Sequence, residues 1–153
     1  MKTAPARGAI VLLVSLLAGC VSTYPRGGPP VAFDPRPYYA QRALAVLHGT
    51  ASFYADSLAG RATANGEAYD PRYFTAAHRT LPLGTILRVT RVSTGDWVLV
   101  RVNDRGPYAS ASRILDLSKI AASRLGMLRA GVVEIRAEVL AWGRKQRHRS
   151  RAR

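Results

Sequence analysis

Residues 85–103 constrain the fold more than any other stretch. "TILRVTRV" (85–92) and "WVLVRVN" (97–103) are β-branched runs separated by "STGD". That pattern reads as a hairpin with Gly95 in its turn. In the second run Val98, Val100 and Val102 share one face. Further on, "VVEIRAEVL" (132–140) alternates, with Val133, Ile135, Ala137 and Val139 on one face and Glu134, Arg136 and Glu138 on the other. This is the signature of a half-buried strand, its polar face turned to solvent. "GTASFYA" (49–55) gives another strand. "QRALAVLHG" before it reads either as a short helix or as the lead-in to that strand. One helix is expected over 116–126, with Ser118 as N-cap, Leu117, Ala121 and Leu125 in a stripe, and Gly126 as the stop. Several short strands with one or two short helices imply a mainly β fold, a small closed β-barrel whose closure removes exposed edges.

The folded unit is expected over 47–142, and the flanks read differently. Residues 20–46 begin with "VSTYPRGGPPVAFDPRP" after Cys20, which holds five of the nine prolines. It reads as an extended linker. The formal net charge of +14 invites a nucleic-acid reading, but its distribution argues against one. The last ten residues carry six Lys/Arg and no acid, whereas residues 49–140 carry twelve Lys/Arg and eight acids. The tail (143–153) therefore reads as a solvated basic arm. At the other end, Lys2 and Arg7 precede an apolar run from Ala9 to Leu17, the shape of a secretory signal peptide over 1–19. It closes on "LAGC", which resembles the lipobox of bacterial lipoproteins, where the cysteine carries the lipid. Cys20 is the only cysteine in the chain, so no internal disulfide forms. A lipid-anchored chain of the bacterial envelope meets peptidoglycan rather than nucleic acid. Val21 follows the cysteine, with no aspartate to hold the chain at the inner membrane, so the expectation leans to the outer membrane.

With so few acids in the unit, candidates for chemistry can be enumerated. Asp56 and Asp96 fall in apparent turns. Glu134 and Glu138 lie on the polar strand face, and Asp116 reads as a cap at the start of the helix. Glu67, Asp70 and Asp104 remain. Asp104 closes the strand of 97–103, and Pro107 holds the chain in a defined turn. A carboxylate there either faces a cleft or serves as a turn residue paired with Arg101 or Arg105. The segment 60–78, "GRATANGEAYDPRYFTAAH", lacks helix or strand periodicity and reads as a binding loop that carries Glu67 and His78. Metal-ligand spacing is absent, with no HxxH or HxxxH pair, so no metal or other cofactor is expected. No GxSxG, P-loop or GxGxxG occurs either.

"GTASFYA", "GRATANGEAYD", "TAAHRTLPLGTILRVTRVSTG" and "VRVNDRGPY…RILDLSKIAASRLG" together resemble the rare lipoprotein A family over about residues 47–140. The resemblance implies a six-stranded double-psi β-barrel and an endolytic lytic transglycosylase. Such an enzyme cleaves between N-acetylmuramic acid and N-acetylglucosamine and leaves 1,6-anhydro ends, on glycan strands lacking stem peptides. One carboxyl group suffices for that chemistry. It protonates the leaving oxygen, then takes the proton of the C6 hydroxyl that attacks C1. The resemblance assigns this role to Asp104, makes Glu67 a second essential carboxylate and His78 a supporting polar residue. Arg105, Tyr54, Tyr69, Tyr108 and Asn65 are the candidate substrate contacts, although each tyrosine is as readily a packing residue. Arg105 beside Asp104 is in tension with a general acid, because a nearby cation favours the ionised form. Cell-division or envelope proteins are candidate partners. Many members carry a further C-terminal glycan-binding domain; where this chain has a basic tail, the barrel alone is expected to grip the strand. The alternative is an expansin-like glycan-binding lipoprotein without turnover.

The lipobox reading predicts that Cys20→Ser leaves the chain unprocessed or unlipidated, as read by metabolic lipid labelling and membrane fractionation. Unchanged processing and fractionation would contradict it.

Overall fold

A computed structural model describes residues 27–144. The expected signal peptide, Cys20 and all of the basic tail beyond Arg144 lie outside the described residues. Six strands form the fold: β1 (Ala45–Phe53), β2 (Thr75–Ala77), β3 (Ile86–Arg91), β4 (Trp97–Asp104), β5 (Arg113–Leu117) and β6 (Val133–Ala141). They close into one barrel in the order β1-β5-β2-β4-β3-β6. The pairs β1/β5 and β2/β4 are parallel, and the other four pairings are antiparallel. Among the described residues one α-helix, α1 (Lys119–Arg124), follows β5, and two short 3-10 turns lie at Arg36–Tyr38 and Asp56–Leu58.

Closure dictates the core. Alternate residues point into the barrel, and a barrel of this size is filled by its own side chains. Val98, Val100 and Val102 of β4 enter as their spacing implies, alongside Leu87 and Val89 of β3 and Leu115 and Leu117 of β5. Val133, Ile135, Ala137 and Val139 come in from β6. The hairpin stands as read, with Gly95 at φ 78° in its turn, where a side chain would be strained. The ambiguous segment before residue 49 is strand, since β1 begins at Ala45.

Three expectations change. The helix expected from residue 116 starts at Lys119, because 113–117 is strand; Leu115 and Leu117 are fully buried in the barrel while Asp116 alternates out. Asp116 therefore caps nothing, and its carboxylate turns across the sheet to Ser52 and Arg113. Nor is Glu138 solvated. It is 7% exposed and lies between Arg88 at 3.6 Å and Arg136 at 3.0 Å. Within the segment read as an irregular loop, Thr75–Ala77 is a strand inserted between β4 and β5. Three residues are too few to show a period.

The proline-rich segment lies against the barrel from Gly27 onward. Gly28 and Glu67 form a parallel β-bridge. Gly28 N donates to Gly66 O and Ala68 N donates back to Gly28 O, both at 2.8 Å. A Cβ on Gly27 would sit 2.7 Å from Ala68 N, so only glycine permits this approach. Further along, Arg88 donates to the carbonyls of Tyr38, Tyr39 and Gln41, and Tyr39 meets Trp97 edge-on. The segment thereby covers Leu99, which points outward from β4 yet is 5% exposed.

Leu115 is central to this packing, at 0% exposure between β1 and β2. Leu115→Ala is expected to cost about 2–5 kcal/mol, the range for truncating a buried leucine. Urea unfolding measures this; a loss below about 1 kcal/mol would mean that the barrel interior collapses freely around the gap.

Candidate active site

Asp104 sits where β4 leaves the barrel, and three donors hold its carboxylate. Oδ1 accepts from the backbone amides of Ala64 and Arg105, each at 2.8 Å. Oδ2 accepts from the Tyr54 hydroxyl at 2.8 Å. Burial, reinforced by the Asp104 and Asp116 carboxylates, pushes the Tyr54 phenol far above its ordinary pKa. It stays protonated and serves as a donor. The two oxygens thus have different partners, fixed backbone amides on Oδ1 and a hydroxyl on Oδ2, and the side chain is held in one orientation.

The Arg105 guanidinium does not compete. It turns away, and Nη1 donates to the carbonyls of His78 at 3.1 Å and Leu81 at 2.9 Å. The arginine thus ties the end of β4 to the chain after β2. Gly106, at φ 134°, packs its Cα side over Ala77, where a Cβ would stand 3.8 Å from that of Ala77. This left-handed backbone favours glycine at the turn that follows Asp104.

The loop that carries Glu67 is fastened to the same strand end. Asn65 N donates to Asn103 O at 3.1 Å, beside the Ala64 contact to Asp104. Glu67 pairs with Arg101 at 2.7 Å, with both side chains nearly buried at 12% and 11% exposure. Asn103 Nδ2 adds a bond at 3.2 Å and Asn65 Nδ2 another at 2.8 Å. Burial opposes ionisation of Glu67, but Arg101, Asn103 and Asn65 outweigh it and hold the carboxyl below its ordinary value. Glu67 is thus a fixed anion, unsuited to donating a proton. Arg101 also donates to Val31 O at 2.6 Å, so the N-terminal segment bears on the same cluster.

His78 follows β2 and is 7% exposed. Its Nδ1 accepts from the amides of Thr80 and Leu81 at 3.1 and 3.0 Å, which places the ring proton on Nε2. Burial, with Arg105 and Arg79 nearby, lowers its pKa, so the ring is neutral near pH 7. Its own amide donates to Asp104 O at 3.2 Å.

Asp104, Glu67 and His78 are therefore gathered at one end of the barrel, on β4, the 60–70 loop and the exit of β2. The other candidates divide. Tyr54 is engaged with Asp104 and packs at a tilt of 40° against Tyr69, with 4.6 Å between ring centroids. Tyr69 is 3% exposed, too buried for sugar stacking, and its hydroxyl accepts from Lys119 N. Asn65 spends its amide on Glu67 and Thr63. Tyr108 is open, at 76% exposure. Asp70 is tied to Arg72 and Asp56 to Lys119. Ser52, which the sequence does not single out, pairs with Asp116, which reads there as a cap, and Ala77 lies between Asp116 and Asp104. The alternation Leu115–Asp116–Leu117 was the signal for β5, masked by an overlapping helical stripe. No cluster of three or more metal-ligating side chains occurs among the described residues. A cavity of about 610 Å³ opens elsewhere, lined by Phe33, Tyr39, Phe74 and Trp97 among others. Trp97 begins β4 and Asp104 ends it, so the Trp97 side of the cavity lies about a strand's length from Asp104.

The closed mixed barrel with a carboxylate cluster at one mouth is a double-psi β-barrel. In three dimensions it is similar to the Streptomyces papain inhibitor (TM-score 0.52, 23% identity, 66% of this chain and 99% of that one), a likeness of fold alone. The family model described as lytic transglycolase matches residues 46–137, and the chain belongs to that RlpA-like double-psi barrel family. The probable endolytic peptidoglycan transglycosylase RlpA of Treponema pallidum is 52% identical over 97 residues, covering 63% of this chain and 30% of the relative. The endolytic peptidoglycan transglycosylase RlpA of Campylobacter jejuni is 48% identical over 95 residues, covering 62% and 34%. The chain thus spans about a third of the length of these curated relatives.

The depressed pKa of Glu67 has a consequence for stability. A lowered folded-state pKa stabilises the protein above the unfolded value, near 4.5, and that contribution is lost as pH falls through the folded value. Glu67→Gln is expected to cost about 1–3 kcal/mol at pH 7, the scale of a nearly buried charged hydrogen bond. The gap from the unsubstituted protein should narrow as the pH drops below 4.5. Chemical denaturation at a series of pH values measures it; a gap that widens on acidification would contradict the account.

Proposed function

We propose that this barrel is an endolytic lytic transglycosylase domain. It acts on peptidoglycan glycan strands lacking stem peptides and leaves 1,6-anhydro ends on N-acetylmuramic acid. The observation that carries the reading is the grip on Asp104, with two amides on Oδ1 and the Tyr54 hydroxyl on Oδ2. Asp104 protonates the glycosidic oxygen. Its carboxylate then takes the proton of the C6 hydroxyl as that oxygen closes on C1, so no water enters and the acid is regenerated. Glu67, fixed as an anion by Arg101, binds substrate and holds the loop that supplies the Ala64 amide. His78 Nε2–H is a donor for a sugar hydroxyl or acetamido carbonyl, and Tyr108 is open for ring stacking. The names of the curated relatives support peptidoglycan as the substrate.

The same reading places the chain in the bacterial envelope, anchored through lipid on Cys20 at the periplasmic face of the outer membrane. The basic tail adheres to anionic envelope polymers there, and cell-division or envelope proteins are candidate partners of the protein.

Incubation of the protein with purified glycan strands, followed by mass spectrometry, tests the reaction. Anhydro-ended fragments are expected. Hydrated ends would make the protein a hydrolase, and retention of strands without products an expansin-like binder. Asp104→Asn keeps size and most hydrogen bonds but carries no transferable proton. It should lower product release by on the order of 10²–10⁴-fold, the usual weight of a general acid–base group. Cleavage at the unsubstituted rate would reduce Asp104 to a turn residue.

A further inference from the structure

Asp104 has a neighbour the one-carboxylate scheme does not use. Directly paired residues in a ladder point to the same face of a sheet. Ala77 on β2 pairs with Asp104 on one side and with Asp116 on the other. Asp116 in turn pairs with Ser52 on β1. Ser52, Asp116 and Ala77 therefore form one row across three strands, and the register shift between Ala76 and Ala77 brings Asp104 opposite Ala77 at its end. The two aspartates stand two strand spacings apart, about 10 Å between backbones. Between them lies only an alanine, covered by Gly106.

The surroundings of Asp116 are those of a held anion with one open oxygen. Its Oδ1 accepts from the Ser52 hydroxyl, and Arg113 Nη1 stands 3.8 Å from the same oxygen. Arg113 also donates to Ser52 Oγ at 3.1 Å, which closes a triangle that fixes the carboxylate. Oδ2 has no hydrogen-bond partner among the described residues, and a Cβ on Gly106 would lie 4.0 Å from it, so it faces the turn that follows Asp104. The side chain is 21% exposed, partly open to solvent and hence to a ligand. Tyr54, whose hydroxyl bonds Asp104, lies in the field of both carboxylates.

We propose that Asp116 is a second carboxylate of the cleft, one that balances the positive charge developing on the reacting sugar while Asp104 handles the proton. The inference rests on the transglycosylase reading and divides its labour. Asp104 gives its proton to the glycosidic oxygen, and the bond from that oxygen to C1 breaks with its electron pair leaving on the oxygen. C1 and the ring oxygen then share a positive charge. The C6 oxygen forms the new bond to C1 and returns its proton to Asp104. Asp116 exchanges neither proton nor electrons; its open Oδ2 faces the charge in a fixed, partly buried setting, where a preorganised charge outweighs one in water.

The test uses the full chain in detergent, with stem-free glycan strands as substrate. Asp116→Asn keeps the shape and removes the charge. It should lower kcat by about 10²-fold, the scale for one preorganised electrostatic partner, with KM and the thermal midpoint nearly unchanged. Ser52→Ala, which frees Oδ1, should lose less, and Asp116→Glu should recover part of the rate. A binding measurement serves as an independent arm. A glycan fragment ending in a cationic iminosugar should bind the unsubstituted protein more tightly than its neutral counterpart, and Asp116→Asn should abolish the preference. Unchanged kcat in Asp116→Asn, or equal affinity for the two probes, overturns the proposal. If Asp116→Asn does not fold, Ser52→Ala and the probe preference of the unsubstituted protein decide. No anhydro product, with the Asp116-dependent preference intact, removes the transglycosylase reading and leaves the charged subsite standing.

Discussion

Three residues close this barrel. Thr75–Ala77 lies between β4 and β5, parallel to one and antiparallel to the other, and without it the sheet would have two open edges. Unpaired backbone groups along such edges are costly when buried and sticky when exposed. The same insertion sets the spacing of two carboxylates, because the registers that satisfy its backbone put Ala77 between Asp104 and Asp116. The shift in register between Ala76 and Ala77 carries Asp104 into the row. Small side chains on β2 are part of the design: Thr75, Ala76 and Ala77 are all buried, and bulkier ones would push the two strand ends apart.

Around that row the chain spends its few acids economically. Glu67, Asp104 and Asp116 each receive at least one donor from a distant segment, so the loop, β1 and β4 are cross-braced at the mouth. These bonds hold the three carboxylates in fixed positions in the resting protein. Cations are arranged to match. Arg101 and Arg113 face carboxylates, whereas Arg79 and Arg105 face backbone carbonyls, Arg79 reaching those of Pro107, Ser110, Ala111 and Arg113. A strongly basic chain thereby keeps Asp104 without an arginine laid across it.

Much of the barrel was legible in the sequence because its long strands are amphipathic. The valines of β4 and the alternation of β6 determine the buried face whatever their partners. Asp104 was legible as a carboxylate at a strand end. Short elements were not: β2 has no room for a period, and in 113–117 the true alternation of Leu115 and Leu117 overlaps a helical stripe. From the sequence alone Asp116 consequently reads as a cap. Pairings across the sheet, such as Ser52 with Asp116, depend on register, which no local pattern encodes. The docking of the proline-rich segment was hidden for a related reason: composition reports that such a stretch cannot form a helix, not that glycines at 27 and 28 let it lie against the loop of Glu67.

The central claim is that the reacting bond sits at the Asp104 mouth of the barrel. A crystal structure of the Asp104→Asn protein with a stem-free glycan oligomer tests it most directly. The account predicts a glycosidic oxygen within hydrogen-bonding distance of the residue 104 amide, about 3 Å, with the sugar ring on the Asp116 side. A glycan seated in the aromatic cavity beside Trp97, with the mouth empty, would contradict it.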